Sequence, residues 1–267
     1  MTRRNINLEP TMTTTTTATF EKDGAVGIVT MCKPPHNLMD MASLGQLSDR
    51  LREAVDAGCR SILLRSSMRH FCAGADLDVI YEERPSDETL RSLWSRFEEI
   101  PLPIVAAVQG AALGGGLELA LMSDMIIAAD TATFAMAEAA LGLLPLLGGV
   151  QRIAQRVGSA RAKELAMFGR RHDPKTMERW GVINLVTPET ELSAVSMSWA
   201  RQLAAGPTVA YRSIKLLADL SARGGSAAAD ARQYEVNEWM WQSADQKRGL
   251  AAFARDGRPA TATFEGN

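Results

Sequence analysis

Two glutamates, Glu118 and Glu138, stand twenty residues apart (138 − 118) in a segment, residues 101–150, whose only other charged residues are Asp124 and Asp130. A carboxylate in such aliphatic surroundings is costly to bury unless it is paired, hydrogen-bonded or protonated. Two carboxylates in one apolar pocket have their pKa values driven apart, which leaves one able to hold a proton and the other able to take one. General acid–base catalysis is the chemistry such a pair can perform. A buried salt bridge is the alternative for either glutamate alone.

Glu118 lies two residues past the triple glycine Gly114-Gly115-Gly116. Glycine lets a backbone come close to a ligand, and a helix N-terminus presents unpaired N–H groups at its positive end. Together they can hold an anion or a developing oxyanion. Close helix–strand packing is the alternative use of the same glycines. Neither a phosphate loop, GxxxxGK[ST], nor the dinucleotide spacing GxGxxG is present. A second small-residue turn, Phe71-Cys72-Ala73-Gly74-Ala75-Asp76, also follows a strand pattern. Two such turns on neighbouring units can aim two N–H groups at one point, as an oxyanion hole requires.

The elements that must position these groups read as an α/β rhythm. A hairpin is expected over 18–33, turning at Asp23-Gly24. A helix capped by Asp40 and closed by Gly58 follows, then a strand at Ser61 to Leu64. Asp76 is expected to cap a helix, and 84–87 to form a polar loop. A helix over 89–100, a strand over 104–108, a sharp turn at 110–116, a helix over 116–123 and a strand over 125–129 make a second unit. Helices over 148–157, 159–168 and 174–180 and a strand over 182–186 complete the core. From about Glu189 the pattern is helical only: 192–205, 208–222 and one long helix over 227–254. Tyr234, Trp239 and Trp241 are expected to pack within that tail or on a neighbouring subunit.

The chain has 267 residues, 46% of them hydrophobic, and a formal charge of −2. That is ample for a large core and supplies no strong field for nucleic acid. No apolar run reaches membrane-spanning length. Three cysteines, Cys32, Cys59 and Cys72, without paired spacing argue against a disulfide scaffold or zinc site and point to a reducing, cytoplasmic setting. The domain organisation expected is a threonine-rich leader over 1–17, disordered or preceding a true start at Met12, a core over 18–190 and a helical region over 191–267.

The order F-C-A-G-A-D, then A-L-G-G-G-L-E-L-A, then F-A-M-A-E-A-A-L-G-L-L-P-L-L-G-G-V-Q-R resembles the crotonase, or enoyl-CoA hydratase/isomerase, superfamily. KPPHNLMD at 33–40 resembles that family's loop near the active site. The resemblance implies an α/β fold, a spiral of ββα units with a helical C-terminal region that closes the CoA pocket and assembles trimers or dimers of trimers. It implies acyl-CoA thioesters as substrates and no cofactor beyond the coenzyme A they carry. Glu118 and Glu138 match the hydratase glutamates, and the N–H groups of Ala73 and Gly115 the oxyanion hole. Ala73, Gly74, Ala75, Asp76, Leu113, Gly114 and Pro145 are the substrate-binding positions carried over. Keeping both glutamates favours a hydratase over a 3,2-enoyl-CoA isomerase or another enolate reaction. A non-catalytic acyl-CoA-binding subunit is the reading from a different class.

Met136 and Ala137 depart from the glutamine and proline that often precede the second glutamate, which loosens the expected hold on Glu138. Leu143 to Leu147 are expected to pack in the core, with an acyl-pocket wall as the alternative. Lys33, Arg65, Arg69 and Arg258 are candidate phosphate contacts, and Phe264 a candidate for stacking on adenine. Asp124 and Asp130 read as caps or structural acceptors. A triad through His36, His70 or His172 is disfavoured: Cys72 is near His70 only in sequence.

Overall fold

The computed structural model describes residues 15–77, 85–257 and 262–267. Strands β1 (Ala18–Asp23) and β2 (Val26–Met31) form the expected hairpin, turning at Gly24 with φ of 58°. With β3 (Ser61–Ser66), β4 (Ile104–Val108), β6 (Met125–Ala129) and β8 (Leu185–Thr187) they make one six-stranded sheet in the order β1-β2-β3-β4-β6-β8. Only the β1–β2 pair is antiparallel. Parallel neighbours need crossovers, which helices supply. Covered on both faces, β4 is buried at every position, which is why it reads as an unbroken apolar run.

Helix α1 (Met41–Asp56) begins where Asp40 accepts from Ser43 N–H while the Ser43 hydroxyl meets Asp40 N–H, a reciprocal cap. It buries Leu44, Leu47, Leu51 and Ala54 against the sheet. Helix α2 (Asp87–Glu98) is capped by Ser86 and buries Leu93 and Phe97. The N-terminal segment joins the body at Thr15 to Thr17: Gln46 donates to Thr15 O, and Thr17 N–H donates to Gln46 Oε1.

A second sheet was not expected. Strands β5 (Ala111–Leu113) and β7 (Thr133–Ala135) pair in parallel, where the sequence pattern suggests a turn over 110–116. Three residues are too few to show a period. Bridges Cys72–Ala112 and Met39–Ala75 attach the 72–75 turn and the 37–39 loop to it. Helix α3 (Gly115–Leu121) leaves directly from β5, and all seven of its residues are buried.

Helices α4 (Gly149–Val157), α5 (Ser159–Phe168), α6 (Pro174–Trp180) and α7 (Leu192–Ala204) follow as expected. Beyond them α8 (Thr208–Gly224) is separate, and the long tail helix is two: α9 (Ser226–Gln242) and α10 (Ala244–Asp256). The break is at Ser243, which turns extended (ψ 134°) so that its hydroxyl can accept from Asp245 N–H. Asp245 is fully buried and accepts from the N–H groups of Glu265 and Gly266 and from Arg248, which ties the C-terminal segment to α10. Tyr234 and Trp241 do not pack within the tail: they are 83% and 56% exposed. Trp239 is partly buried beneath the Arg212 guanidinium. Among the described residues no helix is long and apolar enough to cross a membrane.

Candidate active site

The three glycines of the β5–α3 turn do three different jobs. Gly114 holds φ 51° and ψ −123°, a conformation L side chains rarely adopt, and a Cβ there would sit 2.9 Å from Glu138 Oε1. Gly116 has no room for a side chain, since its Cβ would overlap the Cys72 carbonyl oxygen. At Gly115 a Cβ would be 2.6 Å from Met39 Cε and 3.9 Å from both Ala75 N and Glu118 Oε2. Gly115 is therefore where the Ala73–Asp76 turn, the 37–39 loop and the first glutamate converge.

The expected oxyanion donor on the second turn needs correction. Ala73 N–H donates to the His36 carbonyl at 3.1 Å, which commits it to the loop. Residues 72–76 run between loop and sheet with single bridges at Cys72 and Ala75 and a bend at Gly74, so the partner of each N–H is set by these contacts. Asp76 N–H also faces the loop, donating to Met39 O at 2.7 Å. Ala75 N lies 3.9 Å from where a Gly115 Cβ would sit, and among the described residues neither Ala75 nor Gly115 donates its N–H to a hydrogen-bond acceptor. The two-donor geometry expected from the glycine turns is thus formed by Ala75 and Gly115. Gly74 allows the bend with φ 120°.

Glu118 is 2% exposed. Its Oε1 accepts from Leu147 N–H and Gly149 N–H, each at 2.8 Å. These donors, at the start of α4, were not legible in the sequence, because a backbone N–H carries no residue signature. Burial pushes the Glu118 pKa up to about 7; the Gly149 N–H opposes this, the nearby Glu138 charge adds to it, and Leu147 N–H and Arg152 pull it down. Glu138 opens a 3₁₀ turn, Glu138–Leu141. Both of its carboxylate oxygens are buried and accept nothing from another described residue. Burial raises its pKa, against only the influence of its own backbone N–H. The asymmetry is chemical. Glu118 accepts two N–H groups from neighbouring residues, whereas Glu138 accepts none from another described residue, and burial raises the pKa of both.

The sequence places Leu143 to Leu147 in the core; only Leu147 is there, at 8% exposure. Leu143, Leu144 and Leu146 are 39%, 67% and 44% exposed, because the chain from Glu138 to Gly149 runs over the surface between β7 and α4. Pro145 is buried among them. Met136 is fully buried and packs toward Gly149, so an apolar side chain fills the position before Ala137 and Glu138. A cavity of about 1130 Å³ is lined by neither glutamate. It lies between α2, α4 and α8, with Trp94, Leu146, Arg152 and Lys215 among its walls. Several of its charges are paired, Glu98 bridging Arg152 and Arg223 and Asp124 holding Lys215, and it reads as the cleft between the C-terminal helices and the core.

The other candidate residues are dispersed. Lys33 is committed to Asp40 at 2.6 Å and Asp76 at 3.3 Å. Arg65 donates to Thr30, and Phe264 packs on Gly249 of α10, remote in the chain from either glutamate. Leu113 is partly buried beside Gly74. Arg258 lies outside the described residues. Asp124 accepts from Ile104 N–H and Asp130 from Glu189 N–H, structural acceptors both. No cluster of three or more metal-ligating side chains occurs among the described residues.

Chemistry that needs Glu118 ionised is expected to show kcat/KM rising with pH through about 7, as the coupled pair sheds its first proton. A profile flat from pH 5 to 8 would contradict this. The stability effect has the opposite sense. A raised folded-state pKa favours the protonated native state, so this contribution is complete below the ordinary glutamate range and is lost as pH rises through about 7.

The enoyl-CoA hydratase/isomerase family pattern matches residues 21–263. A Mycobacterium tuberculosis protein named probable enoyl-CoA hydratase is 31% identical over 250 residues, covering 91% of this chain and 96% of its own. A carnitinyl-CoA dehydratase of Proteus mirabilis is 32% identical over 249 residues, covering 88% and 94%. The crystal structure of an enoyl-CoA hydratase subunit from Geobacillus kaustophilus superposes with a TM-score of 0.88 at 30% identity, covering 94% of this chain and 99% of that one. With this family match and these similarities over nearly its whole described length, this chain belongs to the enoyl-CoA hydratase/isomerase family.

Proposed function

We propose that the protein is an enoyl-CoA hydratase, adding water across the 2,3 double bond of an acyl-CoA thioester. The observation that carries the reading is the meeting of Glu118, Glu138 and the free N–H groups of Ala75 and Gly115 around one turn. The thioester oxygen accepts from those two N–H groups. As water attacks Cβ, Glu118 takes its proton and negative charge moves onto the thioester oxygen. One such donor is worth about 10²–10³-fold in rate. The enolate then collapses, and Glu138, protonated, delivers its proton to Cα. Hydroxide has been added at Cβ and a proton at Cα; the glutamates have exchanged protonation states and reset through water. The steps draw on no group beyond these, water and the coenzyme A that the substrate carries.

Retention of both glutamates supports hydration over double-bond isomerisation, which needs one proton shuttle, and over simple acyl-CoA binding, which needs none. The exposed Tyr234, Trp241, Leu250 and Phe253 of α9 and α10 support assembly into a trimer or dimer of trimers, and the unpaired cysteines support a cytoplasmic setting. Supplying 2-enoyl-CoAs of increasing chain length and following loss of the conjugated thioester absorbance is the test. Turnover of at least one is expected. A folded protein that turns over none of them, yet converts 3-enoyl-CoA, would replace hydratase by isomerase.

A further inference from the structure

Residues 71–76 must be held to within a fraction of an ångström if Ala75 N–H is to face Gly115, and the hydrogen bonds show what holds them. On one side Phe71 N–H donates to Gln109 O and Cys72 N–H to Ala111 O. On the other, Ala73 and Asp76 donate to His36 and Met39, and Met39 donates to Gly74 O at 2.9 Å. The loop over 36–39 is therefore one jaw of a clamp. At its head is Asn37, 4% exposed and the one non-glycine residue with positive φ among those described, at 53°.

The Asn37 amide is fully used. Its Oδ1 accepts from Lys33 N–H at 2.7 Å, closing its own loop. Its Nδ2 donates to Ser66 Oγ at 2.7 Å, to Phe71 O at 3.0 Å and, more weakly, to His70 O at 3.4 Å. Ser66 Oγ in turn donates to His70 O and accepts from Met68 N–H. The Cys72 thiol donates to Asn37 O at 3.0 Å. One side chain thus joins the end of β3, the start of the 71–76 turn and the 33–40 loop. Aspartate, of equal size, would point an oxygen at two carbonyls. An apolar residue would leave buried acceptors unpaired.

We infer that Asn37 is a positioning residue for the oxyanion hole: its amide fixes the 36–39 loop against Phe71, and the loop fixes Ala75 N–H toward Gly115. It does not touch the reacting atoms. The inference rests on the hydratase reading, so its test separates the two. The probe is 4-dimethylaminocinnamoyl-CoA, whose donor group suppresses attack at Cβ. Hydrogen bonds to its thioester carbonyl draw electron density toward oxygen and shift its absorbance to the red without turnover.

The variant is Asn37→Gly, which accepts a positive φ freely and removes only the amide. Wild type is expected to shift the probe. Asn37→Gly is expected to lose most of that shift and about 10²-fold in kcat, with KM changed by no more than about threefold. A full shift and full kcat in a folded Asn37→Gly overturn the inference. Should that variant not fold, Ser66→Ala keeps Asn37 and removes one of its acceptors; a partial loss of shift is expected, and wild-type values overturn the inference. No shift with the wild type itself overturns the oxyanion-hole reading, and this inference falls with it.

Discussion

Glu118→Gln is expected to lower kcat on a 2-enoyl-CoA by about 10²–10⁴-fold while leaving acyl-CoA binding in place. Glutamine has the same shape, and its amide oxygen can still accept from Leu147 N–H and Gly149 N–H, so the α3–α4 contact survives. What disappears is the proton acceptor. Calorimetry with a non-reacting acyl-CoA should return a Kd near that of wild type. Thermal melts give an independent check. Wild type bears the cost of ionising a buried group as pH rises through about 7, and glutamine does not, so Glu118→Gln should melt above wild type at pH 8 and close to it at pH 4.5. Near-wild-type turnover in the variant would remove Glu118 from the mechanism. Glu138→Gln is expected to lose activity to a similar degree.

Gly116→Ala is expected to destabilise the protein by about 3 kcal/mol, a large effect for a single methyl group. The added Cβ would overlap the Cys72 oxygen and lie 2.8 Å from its carbonyl carbon and 2.9 Å from its Cβ. That carbonyl accepts from Leu113 N–H within the small sheet, so it has little freedom to retreat. Moving α3 away instead would carry Glu118 out of reach of Leu147 and Gly149. Stability and activity should therefore fall together. Gly45→Ala is the control: a Cβ there meets nothing within 4 Å, it lies inside α1, and alanine should stabilise by about 0.5–1 kcal/mol. Equal denaturation midpoints for Gly116→Ala and wild type would show that the contact yields.

Much of the architecture was legible before the structure. Buried parallel strands appear as short apolar runs, and α1 is marked at both ends by Asp40 and Gly58. The tail was less so. A single helix over 227–254 satisfied every local preference, and only the capture of Asp245 by Glu265 and Gly266, twenty residues on, explains the stop at Ser243. The leucines after Glu138 misled for a related reason. Composition says they would be comfortable in a core, but the path from β7 to α4 leaves Leu144 and its neighbours at the surface.

The sequence by itself determined which groups are available for chemistry. Two glutamates in a segment with only two other charged residues, a triple glycine and a second small-residue turn are facts of composition and spacing, and no folding is needed to see that they are costly or permissive. Tertiary structure decided which backbone N–H groups serve them. Ala73 and Ala75 are chemically identical residues two positions apart; pairing with the 36–39 loop engages Ala73 and leaves Ala75 free toward Gly115. Glu118 is held by Leu147 and Gly149, neither of which carries a polar side chain. Side chains are written in the sequence, whereas the direction of a peptide N–H depends on the partner the chain finds when it folds.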